Sequence, residues 1–169
     1  MRNFLLFLVL ALGINGVQAD DWSSFYFNPA IGRSSTDASG YDGAAAASVD
    51  VGYRFNRFLG FGAGYYRFGE SEGDSGRAIE AKGLYPSLSA YWPVNDAFDL
   101  YLRAGYFNSE VKITSASGSN TLDGGGIGWG VGGLVAVWNN LAVSAGYDNF
   151  EAEGVDISYG SIGLRISFY

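Results

Sequence analysis

One feature limits this chain more than any other. From residue 24 to residue 169, bulky apolar residues alternate with small, hydroxylic or charged ones at a period of two. At 59–66, Leu59, Phe61, Ala63 and Tyr65 alternate with Gly60, Gly62, Gly64 and Tyr66. At 100–107, Leu100, Leu102, Ala104 and Tyr106 alternate with Tyr101, Arg103, Gly105 and Phe107. The same pattern sets Ile127, Trp129, Val131, Val135 and Val137 against Gly128, Gly130, Gly132 and Ala136, and Ile162, Leu164, Ile166 and Phe168 against Ser161, Gly163, Arg165 and Ser167. Side chains alternate in this way along a β-strand and not along a helix. The pattern predicts eight strands, at 24–33, 45–55, 58–69, 79–92, 98–113, 121–138, 141–150 and 156–169.

The connections alternate in kind. Asn56-Arg57, 93–97 and Asn139-Asn140 are short and carry turn-tolerant residues. The segments 34–43, 70–77, 114–120 and 151–154 are longer and polar. Short turns at one end and long loops at the other fit an up-and-down barrel in an outer membrane, with the turns in the periplasm. An even strand number returns both chain ends to that side.

Composition decides which face looks out. A soluble barrel hides its bulky face and puts charge on the other. Here the second face is mostly glycine and serine, with too little charge for a surface in water. With 26 glycines and 17% aromatic residues, the bulky face suits lipid and the small face suits a narrow lumen. Lipid demands closure, because an open sheet edge leaves backbone groups unpaired in hydrocarbon. Eight strands enclose a space just wide enough for side chains. The predicted fold is an all-β, eight-stranded antiparallel transmembrane barrel.

The first nineteen residues read as a cleavable signal peptide. Arg2 precedes an apolar run at 4–12, and Gly16, Val17, Gln18 and Ala19 end in a small-x-small cleavage site. The apolar run is too short to span a membrane as a helix. The barrel domain is then 20–169.

The order of these motifs resembles the OmpA-type outer-membrane barrel. The segment 58–65 resembles its third strand and 99–106 its fifth. Residues 128–133, Val137, the Asn139-Asn140 turn, Leu141 and 145–147 resemble its hairpin of strands six and seven. Gly163 to Tyr169 resembles its aromatic-ended last strand. The likeness covers 24–169. It implies a place in the cell outer membrane of a Gram-negative bacterium, contact with lipid and lipopolysaccharide, and recognition of the last strand by the outer-membrane insertion machinery. Full-length OmpA proteins continue into a peptidoglycan-binding domain, which is not expected here. Such barrels also plug the lumen with paired Glu, Lys and Arg. The matching positions here are Gly62, Ser89, Ala136 and Ser144, so that cluster is missing. A monomer is expected.

Strand parity places Asp50, Arg54, Asp99, Arg103, Asp148 and Arg165 in the lumen. Arg54, Asp99 and Arg165 belong near the periplasmic end, with the others higher. Buried charges need partners, so Arg103 should meet Asp50 or Asp148. Arg33 and Arg67 point outward at the loop ends, where Arg could pair with lipid A phosphates or simply snorkel. Tyr66, Tyr91, Tyr101 and Phe107 point inward and could fill the tube. Phe55 and Trp92 belong to a periplasmic aromatic girdle.

Other chemistries are disfavoured. A chain with 10 basic and 17 acidic residues is a poor nucleic-acid binder. It has no Cys and no His, which removes disulfides, thiolate metal sites and the commonest general base. No catalytic residue, cofactor or metal site is expected. The loop acids Asp37, Asp42, Glu70, Glu72, Asp74, Glu151, Glu153 and Asp156 lack EF-hand spacing. Three roles fit the pattern: a structural or surface-interaction barrel, a narrow pore or small-solute carrier, and a soluble lipocalin-like periplasmic carrier that would need the bulky face inside.

Overall fold

The structure, a computed structural model, describes residues 23–36, 43–72, 78–115, 118–152 and 155–168. The leader at 1–19, Asp37, Asp42, Asp74, Glu153 and Tyr169 lie outside them. Eight strands follow in order: β1 Ser24–Thr36, β2 Ala44–Arg54, β3 Leu59–Glu72, β4 Ala78–Asn95, β5 Phe98–Ser115, β6 Gly118–Trp138, β7 Leu141–Ala152 and β8 Val155–Phe168. Each pairs antiparallel with its sequence neighbour, and β1 pairs with β8 to close the ring. No strand edge is left open, as hydrocarbon requires.

The turns follow from local chemistry. Asn56 Oδ1 accepts hydrogen bonds from the backbone N–H of Phe58 at 2.8 Å and of Leu59 at 2.9 Å. Asn95 Oδ1 accepts one from Ala97 N–H at 2.9 Å. Both replace backbone pairing with an Asn side chain. The 93–97 turn is tighter than its sequence suggests: β4 runs on through Asn95 by a bulge after Pro93. The strands also extend past the predicted loop starts, to Thr36 in β1, Glu72 in β3 and Ser115 in β5. Ladder pairing uses only backbone groups, so polar side chains do not end it outside the membrane.

The faces sort as the bulky-out assignment requires. Ile31, Phe61, Leu84, Leu102, Ile127, Val131 and Leu164 are exposed on the outer wall. The soluble lipocalin-like alternative needs these residues inside, and it is overturned. Trp92 is 73% exposed beside the short turns. Towards the loop ends, Tyr65, Tyr106, Trp129 and Tyr147 stand outward, and Trp129 and Tyr147 are in ring contact at 6.3 Å.

Two prolines break the ladder. Pro29 pairs with Val49 on its β2 side, but the β1–β8 register jumps from Phe27↔Ile166 to Ala30↔Gly163. Pro86 pairs with Ala63 on its β3 side, but the β4–β5 register jumps from Leu84↔Asn108 to Ser87↔Gly105. Proline has no N–H to give. The two interrupted seams lie half-way around the ring from each other.

Candidate functional site in the barrel lumen

The inward residues of β5, read from the short-turn end, are Asp99, Tyr101, Arg103, Gly105 and Phe107. They mark successive layers of the lumen. At the bottom, Arg54 Nη1 donates to Asp99 Oδ2 at 2.7 Å. Arg54 is the last residue of β2, so its guanidinium also reaches the turn carbonyls of Asn56 at 3.2 Å and Arg57 at 2.5 Å.

One layer up, Arg165 from β8 lies over the Tyr26 ring at 4.2 Å and near Tyr91 and Tyr101 at 5.6 and 5.8 Å. Its Nη1 donates to Tyr91 Oη at 3.1 Å. Beside this layer Ser144 Oγ donates to Asn28 Oδ1 at 2.9 Å.

Above it sits an ionic triad. Arg103 Nε and Nη2 donate to the two oxygens of Asp148 at 2.7 and 2.5 Å, and Nη1 donates to Asp50 Oδ1 at 3.0 Å. Tyr66 Oη adds a bond to the same Asp50 oxygen at 2.9 Å. Burying a charge costs several kcal/mol unless partners replace its water. Here a planar guanidinium serves two carboxylates at once, a geometry Lys could not match.

An aromatic clump closes the loop end. Tyr66, Phe68, Tyr85, Phe107, Phe150 and Tyr159 form one buried cluster, with Tyr66, Tyr85, Phe107, Phe150 and Tyr159 at 0% exposure. Phe150 anchors it, with ring centroids 4.6 Å from Phe107 and 5.0 Å from both Tyr66 and Tyr85.

The inward glycines take on their meaning here. A Cβ on Gly62 would run into the Tyr26 hydroxyl, and one on Gly146 would lie 2.6 Å from that of Tyr101. A Cβ on Gly130 would strike the Asp148 carboxylate. Each glycine is a socket for a side chain from another strand. The positions Gly62, Ser89 and Ser144 carry no charge, and the ion pairs of this lumen stand elsewhere in the tube.

At the outer rim, Arg33 Nη2 donates to the carbonyl of Gly43 at 3.3 Å. Arg67, with its side chain 68% exposed, pairs with Glu80 at 3.0 Å. Lys82 pairs with Glu110 at 3.0 Å. Glu151 and Asp156 are exposed. Among the described residues no three acidic groups gather as a metal site would need.

Tyr26, Phe68, Tyr85, Leu134, Phe150 and Tyr159 also fill the tube, and sequence reasoning did not single them out. The signal was present. Carrying the parity count through 24–33, 79–92, 141–150 and 156–169 puts each Tyr and Phe of this set in the lumen, apart from Phe68 on the third strand, where the count stopped at Tyr66.

The profile of the family described as "Outer membrane protein beta-barrel domain" matches residues 4–168. No curated protein sequence matches significantly. Among solved structures, the chain is similar to Neisserial surface protein A, with a TM-score of 0.75 and 20% identity over 86% of this chain and 99% of the other. It is similar to the N-terminal barrel domain of OprF from Pseudomonas aeruginosa, with a TM-score of 0.66 and 13% identity over 85% and 97%. It is also similar to Ail, the attachment invasion locus protein of Yersinia pestis, with a TM-score of 0.63 and 19% identity over 86% and 97%.

Proposed function

This chain belongs to the outer membrane protein β-barrel domain family, and from that premise we propose that it is a sealed barrel acting in envelope structure or at the cell surface, not a pore and not an enzyme. It resides in the outer membrane among lipid. The observation that carries the reading is the filled lumen: the aromatic clump caps the Asp50, Arg103 and Asp148 triad, and both lie across the path of any solute. The names of two similar structures, a Neisserial surface protein and an attachment invasion locus protein, point the same way.

The rest of the reading concerns assembly and lipid. Residues 1–19 direct export, and the aromatic end of β8 engages the insertion machinery. The barrel works as a monomer. Arg33 and Arg67 meet lipopolysaccharide phosphates at the rim, where bidentate guanidinium contacts suit phosphate.

Planar-bilayer recording tests the central statement. The purified barrel should give no conductance steps above background. Regular steps would return the narrow-pore reading. Deletion should alter envelope robustness or adhesion while leaving every measured hydrolytic activity in place.

A further inference from the structure

β6 outruns its neighbour on one side. It pairs with β5 without a break from Phe98↔Val135 to Ser115↔Gly118, but its pairing with β7 begins only at Gly128↔Phe150. The Glu151 carbonyl still lies against Gly126. From Gly118 to Gly125, no strand among the described residues pairs with the other side of β6. This stretch stands beyond the lipid-facing wall. Ile127 is the last apolar residue on its outer face, and the rung of Arg67, Lys82, Glu110 and Asp123 carries charge across β3 to β6.

A strand edge in water is a template for another strand, because alternate residues turn their N–H and C=O outward. About four residues of this stretch do so. Native edges are blunted by Pro, by Lys or by a bulge. Residues 118–125 read Gly-Ser-Asn-Thr-Leu-Asp-Gly-Gly, and their ladder with β5 has no register shift. The edge carries none of those guards.

The two faces of the edge define what fits it. On the face turned to the barrel axis, Leu122 is 43% exposed and stands opposite Val111, which packs on the aromatic clump. An apolar side chain on an added strand covers it. On the outer face Asp123 stands opposite Glu110, a like charge. Lys82 holds Glu110 at 3.0 Å, whereas Asp123 makes no ion pair among the described residues. A cation on the added strand pairs Asp123 and relieves that opposition. Successive residues of a strand point to opposite faces, so the two requirements alternate along one segment.

We propose that the β6 edge from Gly118 to Gly125 docks one extended segment of another polypeptide, in which cationic and apolar side chains alternate. The segment adds as a further strand. This rests on the cell-surface reading above and names its partner by chemistry.

The test uses the whole folded barrel in phosphatidylcholine nanodiscs, whose lipid has no net charge. A peptide of about eight residues alternating Lys and Val, matched to the length of the edge, should bind and slow amide exchange within 118–125. An alternating Glu and Val peptide should not, nor should the Lys and Val peptide methylated on its backbone nitrogens. Asp123→Lys should weaken binding about five-fold, while Asp156→Lys, at an exposed position of β8, should leave it unchanged. Equal binding of the three peptides, an equal loss in the two variants, no binding at millimolar peptide, or protection outside 118–125 would each overturn the site. If D123K does not fold, the three peptides on the wild-type barrel decide. Conductance reads the sealed lumen separately, so a failed edge leaves that reading standing.

Discussion

Arg103 grips Asp148 through two parallel hydrogen bonds, at 2.7 Å from Nε and 2.5 Å from Nη2, across 45 residues of sequence. Arg103→Met removes that fork and strands two buried carboxylates. Breaking a buried pair costs about 3–5 kcal/mol, whereas replacing all its members can be nearly neutral. The single variant should therefore lose several molar-scale units of urea resistance, and the triple variant Asp50→Asn, Arg103→Met, Asp148→Asn should recover most of it. Equilibrium unfolding in micelles checks both. A triple variant as weak as the single one would contradict the account.

The Gly62 socket gives a sharper steric test. A Cβ there meets the Tyr26 hydroxyl, while the ring carbon behind it stays at 3.4 Å. Overpacking of this sort costs about 1–3 kcal/mol. Gly62→Ala should destabilise the barrel by that order, and adding Tyr26→Phe should restore more than half of the loss. The cycle is read by the same unfolding curves.

Phe150 and Val131 together test which face is the lumen and which is the lipid wall. It is fully buried against Phe107, Tyr66 and Tyr85, so Phe150→Ala should cost about 3–5 kcal/mol. Val131, exposed on the outer wall, should lose far less on truncation to Ala. Similar losses at the two positions would reverse the assignment of faces.

Pro86 offers a gain. Valine in its place supplies the missing N–H to the β4–β5 seam in the stretch the register skips. A recovered hydrogen bond is worth about 1 kcal/mol net and more in hydrocarbon. It is offset by about 0.4–1 kcal/mol of added unfolded-chain freedom. Pro86→Val should raise the unfolding midpoint modestly and add one slowly exchanging amide at residue 86.

Much of this fold is legible before any coordinates. Closure, strand order and the outward set follow from alternation, because a period of two leaves one bulky face and only lipid suits it. The positions of the lumen charges follow from the same count. Their partners follow only in part. Asp148 lies on the same row as Arg103 with Gly130 between them, but which residue of β2 reaches Arg103 across the tube depends on stagger around the ring, and no local pattern encodes that. The glycines were the most ambiguous signal. Gly62 and Gly130 look like empty space in sequence, yet their vacancies are filled by Tyr26, which reaches Gly62 over Gly52, and by Asp148 on the facing rung. The strand ends at Thr36, Glu72 and Ser115 ran long because backbone pairing ignores the polarity that marks a loop in sequence.

Asp50, Arg103 and Asp148 ride on β2, β5 and β7, so no single hairpin brings any two of them together. Arg103 and Asp148 meet over Gly130 as soon as β5, β6 and β7 are paired, but Asp50 on β2 reaches them only when the sheet has curled almost fully upon itself. Interactions that form this late hardly change how fast a chain reaches its native state, and instead slow its escape. The bond from Arg103 to Asp50 is thus a latch on an already assembled tube, and its strength is spent on lifetime in the membrane, not on speed of insertion.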